Sequence, residues 1–118
     1  MYLRQFDVRM VKATALLPVN KKVADIVRMT LTDLFGEQTA ETILSFCEKN
    51  GLPLSIIPER LVQFGTLLRS LLGEMTANSV NSIIARNIMA EFHMSLGNEM
   101  PTLEEASMVV WNQRRLRI

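Results

Sequence analysis

The amino-acid sequence predicts an all-α fold, a compact bundle-like or orthogonal arrangement of four to five helices with an N-terminal arm of undetermined structure. Three observations predict it. Apolar residues recur at spacings of three and four along most of the chain, the period of one helical face. Gly36, Gly51, Gly73 and Gly97 each follow such a segment. Pro18, Pro53, Pro58 and Pro101 fall between segments, the usual asymmetry of helix boundaries, with glycine past the end and proline at the start.

The first expected helix covers 20–35. Val23, Ile26, Val27, Leu31, Leu34 and Phe35 form its stripe, and the Asn20 side chain is placed to cap the free amides of its first turn. A second helix over 39–50 turns Ala40, Ile43, Leu44 and Cys47 inward and stops at Asn50-Gly51 in a left-handed turn. Leu52, Leu54, Ile56 and Ile57 then make a connector that should tuck beneath the other elements. Pro58 opens the third helix, where its missing amide hydrogen costs nothing; Leu61, Phe64, Leu68, Leu71 and Leu72 form its buried face. The fourth and longest helix, about 76–96, carries Val80, Ile83, Ile84, Ile88, Phe92 and Leu96 in register. Thr102 and Glu105, three apart, form a capping box that starts the fifth, which brings Leu103, Ala106, Val109 and Val110 towards Trp111. No internal repeat of fixed period and no low-complexity tract stands out.

The first nineteen residues fit two readings. Phe6, Val8 and Met10, then Val11, Ala13 and Ala15, alternate with polar residues as in a strand, but the slip at Met10-Val11 requires a bulge. Leu3, Phe6, Met10 and Leu17 equally mark a helix face. A strand here would need pairing from another chain. The expected organisation is one domain over 1–118, with an N-terminal arm at 1–18, a helical core at 20–97 and a C-terminal helix with a basic tail at 101–118.

Composition excludes several function classes. With 118 residues, 48% apolar and 21% charged, the chain can close a core and is not a disordered segment. A formal net charge of +1 provides no molecule-wide field for nucleic acid, so any basic feature must be local. The one cysteine, Cys47, cannot form an internal disulfide and suits a reducing compartment. The amino terminus alternates charged and apolar residues where a signal peptide has an apolar run, and no stretch reaches the ~18 apolar residues of a membrane span. Together these lead us to expect a cytoplasmic protein without membrane insertion.

No catalytic constellation is visible. His93, the only histidine, reads as a helix-surface or boundary residue, and Cys47 as a small core residue. Asp25 with Asp33, and Glu104 with Glu105, read as solvated helix faces. The glycines match neither the dinucleotide nor the phosphate-loop spacing. The expectation is a non-enzyme with no catalytic, cofactor-binding or metal-ligating residues and no cofactor. Arg114, Arg115 and Arg117 beside Trp111 are the one charge cluster; it reads as a helix-dipole complement or as a phosphate grip with a stacking ring. Among the eight methionines, Met29, Met75, Met89 and Met94 fall off the apolar stripes, as on an adaptable interaction surface.

From about 23 to 96 the sequence resembles an archaeal family of small helical domains of unknown function described as Nitrosopumilus-type output domains. The likeness is carried by Leu34-Phe35-Gly36, Ala40, Ile43, Leu44, Ile57-Pro58-Glu59, Phe64, Leu68, Leu71-Leu72-Gly73, Ile84 and Ile88. It implies an intracellular signal-transduction module, often attached to signalling proteins, without catalytic residues to carry over. The arm before Pro18 and the helix after Asn98 depart from it and point to an adaptor or assembly subunit. The resulting expectation is a helical protein-interaction module that binds a protein partner or forms a homo-oligomer, with Phe6, Met10, Leu17, Trp111, Arg114, Arg115 and Arg117 as partner-binding residues. The alternative is a nucleic-acid-binding regulator using the C-terminal Trp/Arg segment.

Overall fold

A computed structural model describes the backbone of residues 2–94 and 101–117 and the side chains of 19–94 and 101–115. Five α-helices and one short 3-10 turn follow one another, and no strand occurs among the described residues. They are α1 (Tyr2–Phe35), α2 (Glu37–Lys49), the 3-10 turn Ile57–Glu59, α3 (Leu61–Leu72), α4 (Glu74–Glu91) and α5 (Leu103–Arg117).

The buried stripes follow the expected period. Val19, Val23, Val27 and Leu31 of α1 pack with Ala40, Ile43, Leu44 and Cys47 of α2. Leu61, Phe64 and Leu68 of α3, Ala77, Val80, Ile84, Ala85 and Ile88 of α4, and Leu103, Ala106, Val109 and Val110 of α5 complete the core. Helix α1 lies against α2, α4 and α5, and α5 also against α3 and α4. The connector is tucked in, with Leu52 and Ile57 fully buried and Leu54 and Ile56 packed against the core.

Several boundaries differ from the sequence reading, among them the start of α2, at Glu37 rather than 39. The backbone of residues 2–19 is helical: α1 runs through Pro18 and Asn20 without a break, so Asn20 caps nothing. A proline costs an interior helix one hydrogen bond, here to the carbonyl of residue 14, but its fixed φ is helical. Pro58 lies in the 3-10 turn, and α3 starts only at Leu61, its first bond running from the Phe64 amide to the Arg60 carbonyl at 3.0 Å. Helix α4 starts at Glu74 rather than 76. It ends at Glu91, because His93 takes the left-handed φ of 58°. The His93 amide donates to the Ala90 carbonyl (3.1 Å) and the Met94 amide to the Met89 carbonyl (3.0 Å). This is the paired bonding of a Schellman stop with histidine where glycine is usual. Gly51 closes α2 by the same pattern, as expected: its amide reaches the Glu48 carbonyl and the Leu52 amide the Cys47 carbonyl. The capping box of α5 also forms. The Thr102 amide donates to Glu105 Oε1 at 2.8 Å, and the Glu105 amide to Thr102 Oγ1 at 3.1 Å.

The chain also contains a repeat that apolar periodicity does not reveal. Leu34-Phe35-Gly36-Glu37-Gln38-Thr39-Ala40 and Leu71-Leu72-Gly73-Glu74-Met75-Thr76-Ala77 match at five of seven places. Each segment forms a helix–glycine–helix corner. Gly36 (φ 89°, ψ 162°) joins α1 to α2, and Gly73 (φ 88°, ψ 160°) joins α3 to α4. In both corners the glycine amide closes the first helix, on the carbonyl of Thr32 or Arg69, and its carbonyl receives the first amide bond of the next, from Ala40 or Ala77. Burial repeats too. Val27 and Phe64, Leu31 and Leu68, Ala40 and Ala77, Ile43 and Val80, Leu44 and Asn81, and Cys47 and Ile84 are equivalent buried pairs. Leu34 and Leu71, expected in the core, are exposed at equivalent places (43% and 38%) in the last turn before each glycine, and Leu72 is only half-buried.

Phe64→Ala and Leu68→Ala should each cost about 2–5 kcal/mol in chemical denaturation, since both side chains are fully buried. Backbone conformation should separate two further substitutions of opposite sign. His93→Gly should raise stability by up to about 1 kcal/mol by relieving a left-handed residue with a β-carbon. Gly73→Ala should cost about 1–3 kcal/mol although nothing lies within 4 Å of the added methyl, because the backbone region itself is closed to alanine. Thermal melts of the two variants beside the wild type give both signs.

Candidate functional site

No group of three or more His, Cys, Asp or Glu side chains that could hold a metal occurs among the described residues. Cys47 lies wholly within the core, and burial pushes its thiol up to about 11 from 9.0. A thiol that stays protonated is neither a nucleophile nor a ligand. His93 is exposed at the helix stop just described, with a structural reason for its place.

The C-terminal cluster divides. Trp111 is 56% exposed and Arg115 is exposed, whereas the Arg114 side chain is only 15% exposed. Its Nη2 donates to the Pro58 carbonyl at 3.4 Å, and its Nη1 lies 3.8 Å from Glu59 Oε1. Arg114 therefore ties α5 to the 3-10 turn and does not face outward with Arg115. The side chains of Arg117 and of Phe6, Met10 and Leu17 lie outside the described residues. What α5 does present is a single stripe of Glu104, Met108, Trp111 and Arg115, spaced four, three and four apart and all exposed, opposite the buried Leu103, Ala106 and Val110.

Each helical corner holds a groove between its two helices. In the second, the α3–α4 groove is lined by Gly65, Arg69, Asn78 and Asn81, and the start of α5 is seated there. Leu103 reaches in so closely that a β-carbon on Gly65 would stand 2.9 Å from Leu103 Cδ1 and 3.1 Å from Asn81 Nδ2. Glycine in mid-helix is intrinsically costly; here it makes room for the fifth helix. Arg69 Nε donates to Asn78 Oδ1 at 3.1 Å along the rim.

The first corner has the equivalent groove, lined by Arg28, Met29, Thr32, Asp33, Glu37, Ala40, Glu41 and Leu44. Among the described residues no other element enters its lining. Arg28 stands where Gly65 stands in the second corner, and its guanidinium crosses to Glu41 at 2.6 Å. Met29 on its edge is 62% exposed. Asp33 and Glu37 face solvent and make no ion pair among the described residues. Sequence reasoning singled out Met29 but not this groove. Its signal was present in the two Leu-x-Gly-Glu-x-Thr-Ala segments.

Matching the chain against protein-family models, curated proteins and solved structures returns no match in any of the three.

The buried, protonated Cys47 gives a chemical test. It should resist maleimide labelling at pH 7–8 in the folded protein and react fully once the chain is denatured. The sign of its pH effect follows from the folded pKa lying above the unfolded one. Its contribution to stability is complete below pH 9.0 and is lost as pH rises from there through about 11, the interval in which the unfolded state has released the proton and the folded state still holds it. Denaturation midpoints of wild type and Cys47→Ala across that window should converge as pH rises.

Proposed function

We propose that the chain is a non-enzymatic helical protein-interaction module, of the signalling output, adaptor or assembly-subunit kind, working in the cytoplasm of an archaeal-type cell. The observation that carries this reading is large apolar surface that the core does not use. Met75 is 86% exposed, Met108 67% and Trp111 56%, while the interior is already closed by fully buried side chains from all five helices. Methionine and tryptophan are the residue types that adaptable interfaces favour. The placement of Met108 and Trp111 one turn apart makes a patch rather than scattered exposure. The protonated Cys47 and the absence of a metal-ligating group among the described residues lend no support to a catalytic reading. No described helix is long and apolar enough to cross a membrane, in keeping with a partner that is not the bilayer interior.

A nucleic-acid regulator would grip phosphate with the C-terminal arginines. Arg114 is committed to Pro58 and Glu59, which leaves that grip depleted. Affinity purification of the tagged chain from its own cells, compared with Trp111→Glu and Met75→Glu, tests the two readings. The interaction-module reading expects a nuclease-resistant protein association that one of these variants abolishes. Association that disappears with nuclease and weakens steeply with salt would replace it with the nucleic-acid reading.

A further inference from the structure

We propose that the open α1–α2 groove receives the outer stripe of α5 from a second copy of this chain. The inference deepens the interaction-module reading and rests on it, by naming the partner.

The repeat provides the first part of the argument. Two equivalent corners make two equivalent grooves, but the chain has one fifth helix. In the second corner Gly65, Arg69, Asn78 and Asn81 surround the α5 residues Thr102 and Leu103. In the first, the corresponding Arg28, Thr32, Glu41 and Leu44 line a groove that no other element enters among the described residues. The corner backbone is that of the one that accepts a helix, but Arg28 and its ion pair with Glu41 span the place that Gly65 leaves free, so a second copy seats along the Met29 edge, over the buried floor of Ala40 and Leu44.

The second part is chemical complementarity. The α1–α2 groove presents Met29 beside Asp33 and Glu37, two carboxylates with no ion pair among the described residues. The outer stripe of α5 presents Met108 and Trp111 beside Arg115, a cation likewise without an ion pair among the described residues. Methionine adapts to an aromatic ring at low cost, and its sulfur interacts favourably with it. Burying Trp111 against Met29 with Arg115 over Asp33 and Glu37 matches an apolar and a charged feature on each surface. The inner face of α5 stays in its own α3–α4 groove, so one helix serves two corners, one in each copy. Because the two surfaces differ, the contact is head-to-tail unless two copies exchange it reciprocally.

Sedimentation equilibrium of the full chain decides the matter. The wild type should exceed the 13.4 kDa of one copy and dissociate on dilution. Met29→Glu and Trp111→Glu, both at exposed positions, should each give a monomer with unchanged helical circular dichroism. Arg115→Glu and Glu37→Arg should each weaken association about tenfold. The double variant should recover most of the loss, which a merely structural role for either residue would not produce. A wild type that stays monomeric to millimolar concentration overturns the self-docking, as does a double variant no better than the singles. The interaction-module reading would survive that result if Trp111→Glu still abolished a nuclease-resistant partner in cells, so the two failures are separable.

Discussion

Each helical corner in this molecule reverses on a single peptide unit whose backbone only glycine adopts. At Gly36 and Gly73 the dihedrals agree within a few degrees, and the residue serves both helices, its amide ending one and its carbonyl starting the next. Nothing crowds either position, so the constraint is one of backbone energy alone. Everything downstream depends on it. With no intervening loop, the direction of the second helix follows from the first, and the apolar stripes of α1 with α2 and of α3 with α4 are aimed at one another before any long-range packing. The same geometry leaves the last turn of the incoming helix uncovered, which is why Leu34 and Leu71 stand in solvent although they lie on the stripes.

The two corners share a frame and differ in what completes them. Position 65 is glycine and position 28 is arginine; position 81 is asparagine and position 44 is leucine. The small residue admits Leu103. Asn81 inside the pocket spends one amide hydrogen on the Gly65 carbonyl at 3.4 Å and leaves its Oδ1 without a partner. The first corner has the apolar floor instead and spans its opening with the Arg28–Glu41 ion pair, half-exposed and therefore weakly held. A duplicated scaffold with unequal fillings leaves one half closed and the other presenting surface.

Most of the fold was legible in the sequence because its core obeys a simple period. The stripes of α2, α3 and α5 and the Thr102–Glu105 capping box follow directly from residue spacing. Three features were not legible, each for its own reason. Pro18 marks a boundary in most sequences, yet its ring fits a helix that accepts one missing bond, so α1 runs on. His93 conceals the end of α4, since the left-handed stop usually announces itself as glycine, and Gly97 a few residues on drew the boundary outward. The repeat escaped because its signature lies in the polar corner residues Glu37, Thr39, Glu74 and Thr76, not in the apolar positions that periodicity weighs. For the candidate surface, Trp111 and Arg115 could be singled out by type. The turning-in of Arg114 depended on Pro58 and Glu59, more than fifty residues away, and no local pattern reports that.

The capping box of α5 has a kinetic consequence. Helices α1 with α2 and α3 with α4 meet across one residue, so the entropy of bringing them together is close to the least a chain can spend. Contacts of such short range form early. Helix α5 satisfies its own first amides through Thr102 and Glu105 and needs no neighbour to begin. Its buried Leu103 packs against Gly65, in the corner that α3 and α4 make. Short-range closure therefore favours the two corners over the docking of the fifth helix as the first contacts to form. A helix that caps itself is also one that local opening can release whole.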